Sequence, residues 1–193
     1  PWFTDAHKLP AEDAVTLDRA TTAERAGFKI AVPRLSRIAN FDDLDPLNLE
    51  PDVTVEIVQP GSPIPADSNL ILIPGSKATL ADLAYIRQQG WDIDILAHHR
   101  RGGRVLGLCG GYQMLGRIVR DPDGTEGAAG EAPGLGLLDI ETILGGDKQL
   151  ANVCARHETT DTMLTGYEIH IGTTRGTDCG RPFLQIETPS NAR

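Results

Sequence analysis

The sequence predicts an α/β fold with a mostly parallel central sheet, helices on both faces and an antiparallel extension. Three observations point there. Short apolar runs starting near 28, 53, 69 and 105 alternate with segments that carry helix caps and helical spacing, the order that builds parallel sheets. From about 137 onward the runs read as strand after strand, which suits antiparallel pairing. The run Val105-Leu106-Gly107-Leu108 empties into Cys109-Gly110-Gly111, a strand-to-helix nucleophile elbow with cysteine in the serine position of G-x-S-x-G. Right-handed crossovers would cover both sheet faces and leave the elbow at the carboxyl edge.

The 193 residues are enough for one domain with a sizeable core, and 40% hydrophobic residues predict a globular chain. A net charge of −9 argues against a nucleic-acid surface. No apolar run approaches the roughly 18–20 residues that span a bilayer, and no signal-peptide pattern opens the chain. Cys109, Cys154 and Cys179 lack C-x-x-C spacing, which predicts a reducing, cytoplasmic setting rather than a zinc site or disulfides. Both ends look cut: the chain starts at Pro1 and stops at Arg193 without a closing element.

Residues 1–27 are polar and irregular and read as a linker or the tail of a preceding domain, with one domain over 28–193. Phe28–Val32 is a first buried strand, ended by Pro33. Positions 34–49 carry turn and cap residues. Val53–Val58 is β-branched and alternating, a second strand, and 59–65 a loop. Asn69–Ile73 is a third strand that runs into Pro74-Gly75-Ser76-Lys77. This turn is not a phosphate loop, because Ser76 separates the glycine from the lysine. Thr79–Gln89 is predicted as a helix capped by Thr79 with Asp82 three residues on.

Trp91–Arg101 is predicted as a second helix, with Trp91, Ile95 and His98 about a turn apart. Its His98-His99-Arg100-Arg101 end suits a helix C-terminus better than a metal or phosphate patch. Tyr112–Val119 is predicted as a helix with Met114, Leu115 and Ile118 on one face. The Asp121–Gly124 turn and an exposed loop to 136 follow. Strands are then expected at Leu137–Leu144, Asn152–Thr159, Leu164–Thr173 and Phe183–Ile186, with a hairpin-like turn at Gly145-Gly146-Asp147.

A thiol at such an elbow is built to attack a carbonyl carbon. Small residues two positions before and after let strand and helix pack closely, and the helix start favours thiolate. The Gly110 N–H is the natural first oxyanion donor, and the turn at Gly75-Ser76 could supply the second. Gln113 lies one helical turn past Cys109 and is a candidate amide-binding residue. Of the histidines, His170 in Gly166-Tyr167-Glu168-Ile169-His170 is the most suggestive, with Glu168 beside it.

Three segments together carry a resemblance: Pro74-Gly75-Ser76, Gly107-Leu108-Cys109-Gly110-Gly111-Tyr112-Gln113 and Gly166-Tyr167-Glu168-Ile169-His170-Ile171-Gly172. They are similar to the class I glutamine amidotransferase domain of the cobyric acid synthase (CobQ) type. Pro10-Ala11-Glu12-Asp13 resembles the end of that family's synthetase domain, and Arg37 to Pro46 its early amidotransferase segment. The resemblance implies a flavodoxin-like fold with glutamine as substrate. Cys109 would form a glutamyl thioester and release ammonia. An N-terminal synthetase domain of the same longer chain, using ATP and Mg2+, would spend that ammonia on side-chain carboxylates of cobyrinic acid a,c-diamide. The amidotransferase domain itself would hold no cofactor or metal and contact neither nucleic acid nor membrane.

The family places its histidine in a Tyr-x-His-Gly motif, which this sequence lacks. His170 belongs to a different motif, site-proximal or structural, so the chain as given is expected to be a poor glutaminase. The alternatives are the sister a,c-diamide synthase, a cell-wall-precursor amidotransferase, a cysteine hydrolase, or a docking domain that keeps the elbow for folding.

Overall fold

The computed structural model describes residues 27–40, 42–146 and 149–187. The chain clusters into two compact units, Pro1–Tyr112 and Gln113–Arg193. The expected linker over 1–27 lies, but for Gly27, outside the described residues.

The first unit holds β1 (Phe28–Pro33), a 3-10 turn at Asp42–Leu44, α1 (Asp45–Leu49), β2 (Val53–Val58), β3 (Leu70–Ile73), α2 (Thr79–Gln88), α3 (Trp91–Arg100) and β4 (Arg104–Gly107). Its sheet has the order β2-β1-β3-β4, and every pairing in it is parallel. β2 lies on one side of β1, with β3 and β4 on the other. Strand order therefore reverses between β1 and β3, the place where ligand crevices open at the carboxyl ends of such sheets. The central strand β3 is apolar along its length because both of its faces are covered. Ile71, Leu72 and Ile73 of β3 are at most 1% exposed, and Ile30, Val32, Leu44 and Leu72 form one cluster. Pro33 ends β1 at its pair with Val58, beyond the stretch that β3 pairs, so its missing N–H costs no ladder bond there.

Helix α3 buries Trp91, Ile95 and His98, the face its spacing predicts. The Trp91 ring meets Tyr85 edge-on at 5.9 Å, and its Nε1–H donates to the Ser62 carbonyl at 2.8 Å. The His98 Nε2 lies 3.1 Å from the Arg104 carbonyl oxygen, which ties the helix end to the start of β4. The expected cap of α2 is corrected. Ala78, not Thr79, is the N-cap residue, and it makes no side-chain cap bond; Asp82 turns to other partners, described below.

Helix α4 (Gly110–Met114) carries the chain across the boundary between the two clusters. It is shorter than the helix expected over Tyr112–Val119. The carbonyls that a continued helix would use are taken by an incoming segment: Leu135 N–H donates to Met114, Leu137 and Leu138 to Leu115, and Gly136 to Gly116. Ile118 and Val119, β-branched, then start a strand.

The second unit holds β5 (Ile118–Asp121), β6 (Gly130–Pro133), β7 (Ile140–Ile143), β8 (Gln149–His157), β9 (Met163–His170), β10 (Thr173–Gly176), a 3-10 turn at Thr177–Gly180 and β11 (Leu184–Glu187). They form two sheets, β10-β7-β5-β6 and β11-β8-β9. Among the described residues of this unit only β5 and β7 pair in parallel, so the antiparallel part takes the form of separate sheets. The exposed loop expected up to 136 contains β6, paired antiparallel with β5. The hairpin-like turn after β7 is also corrected: β7 pairs with β5 and β10, whereas β8 pairs with β9 and β11. Asp147 lies outside the described residues.

Candidate functional site

The elbow follows directly from sterics. Leu108 N–H extends the β3–β4 ladder by donating to the Ile73 carbonyl at 3.0 Å, and Gly111 N–H closes the turn on Leu108 at 2.7 Å. Between them Cys109 takes φ 48°, one of two non-glycine residues with positive φ among the described residues. That is a strained backbone for a residue with a Cβ. Cys109 is exposed, so the strain buys an accessible thiol. A Cβ on Gly107 would sit 2.5 Å from the Gly111 carbonyl and the Tyr112 nitrogen, and one on Gly111 would run into the Ile73 and Pro74 carbonyl oxygens. The G-x-C-x-G spacing is thus a close-approach requirement on both sides of the thiol.

The turn after β3 lies against this elbow. A Cβ on Gly75 would lie 3.3 Å from the Ala39 Cβ and 3.7 Å from the Cys109 Cβ, and one on Gly110 would meet Ser76 at 3.1 Å. The loop after β1 holds the turn from its other side. Ala39 N–H donates to the Gly75 carbonyl at 2.9 Å and Lys77 N–H to the Arg37 carbonyl at 3.0 Å, with Ile38 and Ser76 forming an antiparallel bridge. In this register the paired residues do not bond each other, so the Ser76 N–H points away from the 37–39 segment.

The Ser76 side chain is committed elsewhere. Its hydroxyl donates to Asp82 Oδ2 at 2.6 Å and accepts the Ala78 N–H at 2.9 Å. The other Asp82 oxygen, Oδ1, accepts the Ser36 N–H at 3.0 Å and the Ser36 hydroxyl. The structure therefore brings Cys109, Gly110, Gly75 and Ser76 together in the first unit and adds Asp82 and Ser36, which sequence reasoning missed. A signal for Asp82 was available: Thr79, Asp82, Leu83 and Ile86 are the buried positions of α2, and a carboxylate on the apolar stripe of a helix has to find donors.

The other candidates belong to the second unit. Gln113 is on α4, half-buried, and its carbonyl accepts the Gly116 N–H at 3.2 Å. Glu168 and His170 share one face of β9, with Oε1 and Nδ1 3.2 Å apart and both side chains substantially solvent-accessible. In the first unit His98 is buried against Arg104. Arg104 opens β4, whereas Cys109 lies past its other end, roughly 15 Å along an extended chain. His99 is exposed at the end of α3. His7 lies outside the described residues.

The fold and the elbow define a class, a parallel α/β protein presenting a thiol at a strand–helix turn. Solved structures share the fold. PurLQS from Thermotoga maritima matches 86% of this chain and 77% of its own, with a TM-score of 0.62 at 16% identity. A glutamine amidotransferase structure matches 77% of this chain and 73% of its own, with a TM-score of 0.51 at 15% identity. Residues 29–193 match the CobB/CobQ-like glutamine amidotransferase domain, and the chain belongs to that family. It is 58% identical over 97% of its length to a cobyric acid synthase of Cereibacter sphaeroides. It is 60% identical over 97% to one of Rhodobacter capsulatus and 56% identical over its full length to one of Paracoccus denitrificans. The chain spans about 38% of the length of the first two relatives and 39% of the third.

Proposed function

We propose that this chain is the glutaminase part of a longer cobyric acid synthase. The observation that carries the reading is Cys109, exposed at φ 48° between two close-approach glycines and backed by Gly75. Its Sγ attacks the side-chain amide carbon of glutamine. The oxyanion is held by the Gly110 N–H and by the amides of the Gly75-Ser76 turn, and the C–N bond breaks to release ammonia. Water then hydrolyses the glutamyl thioester to glutamate and frees the thiol.

The ammonia serves an ATP- and Mg2+-dependent synthetase domain of the full-length enzyme, which amidates carboxylates of a corrinoid. This chain's own residues do not fit ATP: the turn after β3 lacks the Gly-Lys pair of a phosphate loop, and the Ser76 hydroxyl is bound to Asp82. The names of the relatives and the share of their length that this chain spans support the assignment.

The 193-residue polypeptide alone is a slow glutaminase. The sequence holds no Tyr-x-His-Gly, and the described histidines of the first unit are committed to Arg104 or stand at the end of α3. Glutamate release by the isolated chain is expected about 100-fold or more below that of the full-length enzyme. A diazo-ketone analogue of glutamine should label Cys109 of the full-length enzyme stoichiometrically and with protection by glutamine. Cys109→Ala should abolish glutamate release without lowering stability. Unprotected labelling, or activity retained by Cys109→Ala, would sink the reading.

A further inference from the structure

Asp82 is fully buried, and among the described residues no cation is a hydrogen-bond partner of it. A buried carboxylate without a counter-ion is costly unless its oxygens are well supplied with donors. Here the donors come from two segments far apart in sequence: Ser36 gives its N–H and hydroxyl from the loop after β1, and Ser76 gives its hydroxyl from the turn after β3. Asp82 sits in the first turn of α2, within reach of both segments. An apolar residue on this stripe would fill the space more cheaply. What the carboxylate adds is direction, because it fixes two loops against one helix.

Both loops matter to the elbow. The Ser76 segment carries the amide that turns away from the 37–39 strand segment, and it touches Gly110. The Ser36 segment leads into Ala39, which holds the Gly75 carbonyl. We propose that Asp82 is a positioning residue for glutamine hydrolysis: it clasps Ser36 and Ser76 so that the Gly75-Ser76 turn keeps its amides at the Cys109 elbow. This rests on the reading of Cys109 as the glutaminase nucleophile. An interaction of this kind acts on the transition state more than on bound glutamine, so it shows in kcat rather than in KM.

The test uses the full-length enzyme. Asp82→Asn keeps the shape but places a donor where Ser76 now donates. Its kcat for glutamate release is expected to fall about 10- to 100-fold, with KM for glutamine within about threefold. Labelling of Cys109 by the diazo-ketone analogue should slow in parallel. Alkylation by iodoacetamide, which needs no oxyanion donors, should keep its rate. Ser36→Ala, at an exposed serine, removes one hydroxyl from the clasp and should lower kcat about threefold; it decides the matter if Asp82→Asn does not fold. Unchanged kcat in a folded variant overturns the proposal. So does a loss shared equally by KM, iodoacetamide labelling and melting midpoint. Glutamate release retained by Cys109→Ala sinks the glutaminase reading and this proposal together, whereas its loss there beside an unaffected Asp82→Asn removes Asp82 alone.

Discussion

The parallel sheet of the first unit and the β11-β8-β9 sheet of the second treat their apolar side chains in opposite ways. Ile71, Leu72 and Ile73 on β3 are at most 1% exposed, whereas Leu150 on β8 is 69% and Tyr167 on β9 70% exposed. In the first sheet β3 is buried on both faces, so three successive side chains are removed from water. In the second, a long antiparallel pairing runs from Gln149↔His170 to Arg156↔Met163 with these side chains left in solvent. The difference explains where a strained residue can be held. Cys109 keeps its positive φ because the first unit over-determines the chain around it: Gly107 fits against Gly111, Gly111 against β3, and Gly110 against Ser76.

The largest effect is expected from Gly111→Ala. The added methyl would meet the Ile73 and Pro74 carbonyl oxygens, which cannot move without disturbing the β3–β4 pairing. A loss of about 3 kcal/mol or more is expected in denaturant unfolding, with diazo-ketone labelling of Cys109 abolished. Wild-type stability would show that the elbow is not over-determined.

A smaller effect is expected from Asp121→Asn in the second unit. Burial pushes this carboxyl up, but the N–H groups of Glu126, Thr125 and Gly124, with the Thr125 hydroxyl, together hold it below the ordinary aspartate value. The Thr125 and Glu126 N–H groups donate to its two oxygens at 2.7 and 3.0 Å. A carboxylate with a depressed folded pKa contributes stability above its unfolded value, near 4, and loses it as pH falls through the folded one. The variant should therefore melt about 4 °C or more below the wild type at pH 7, and the gap should close in acid. A gap that stays constant with pH would count against the ionised turn.

The smallest effect sharpens the contrast from the other side. Leu150→Thr and Tyr167→Thr keep strand propensity on the exposed face of β8 and β9 and should each change stability by about 0.5 kcal/mol or less. A loss of several times that would mean that this face is covered.

The elbow, the four parallel strands and the buried face of α3 were legible because each rests on local rules. Apolar runs read as buried strands, Trp91, Ile95 and His98 recur at helical spacing, and Gly107 and Gly111 flank the thiol at the distance a tight turn needs. The rest was hidden because it depends on residues far away in the chain. Helix α4 stops at Met114 because the 135–138 segment takes its carbonyls, and β6 exists because β5 offers it an edge.

The cysteine elbow and the family can be read from residue order alone, since both are written in short spacings. The partners of Asp82 emerge on folding. Three residues from Thr79 it reads as half of a helix cap. Folded, it bonds Ser36 across 46 positions and Ser76 across 6, because a buried carboxylate takes the donors that packing brings to it rather than those nearest in the chain.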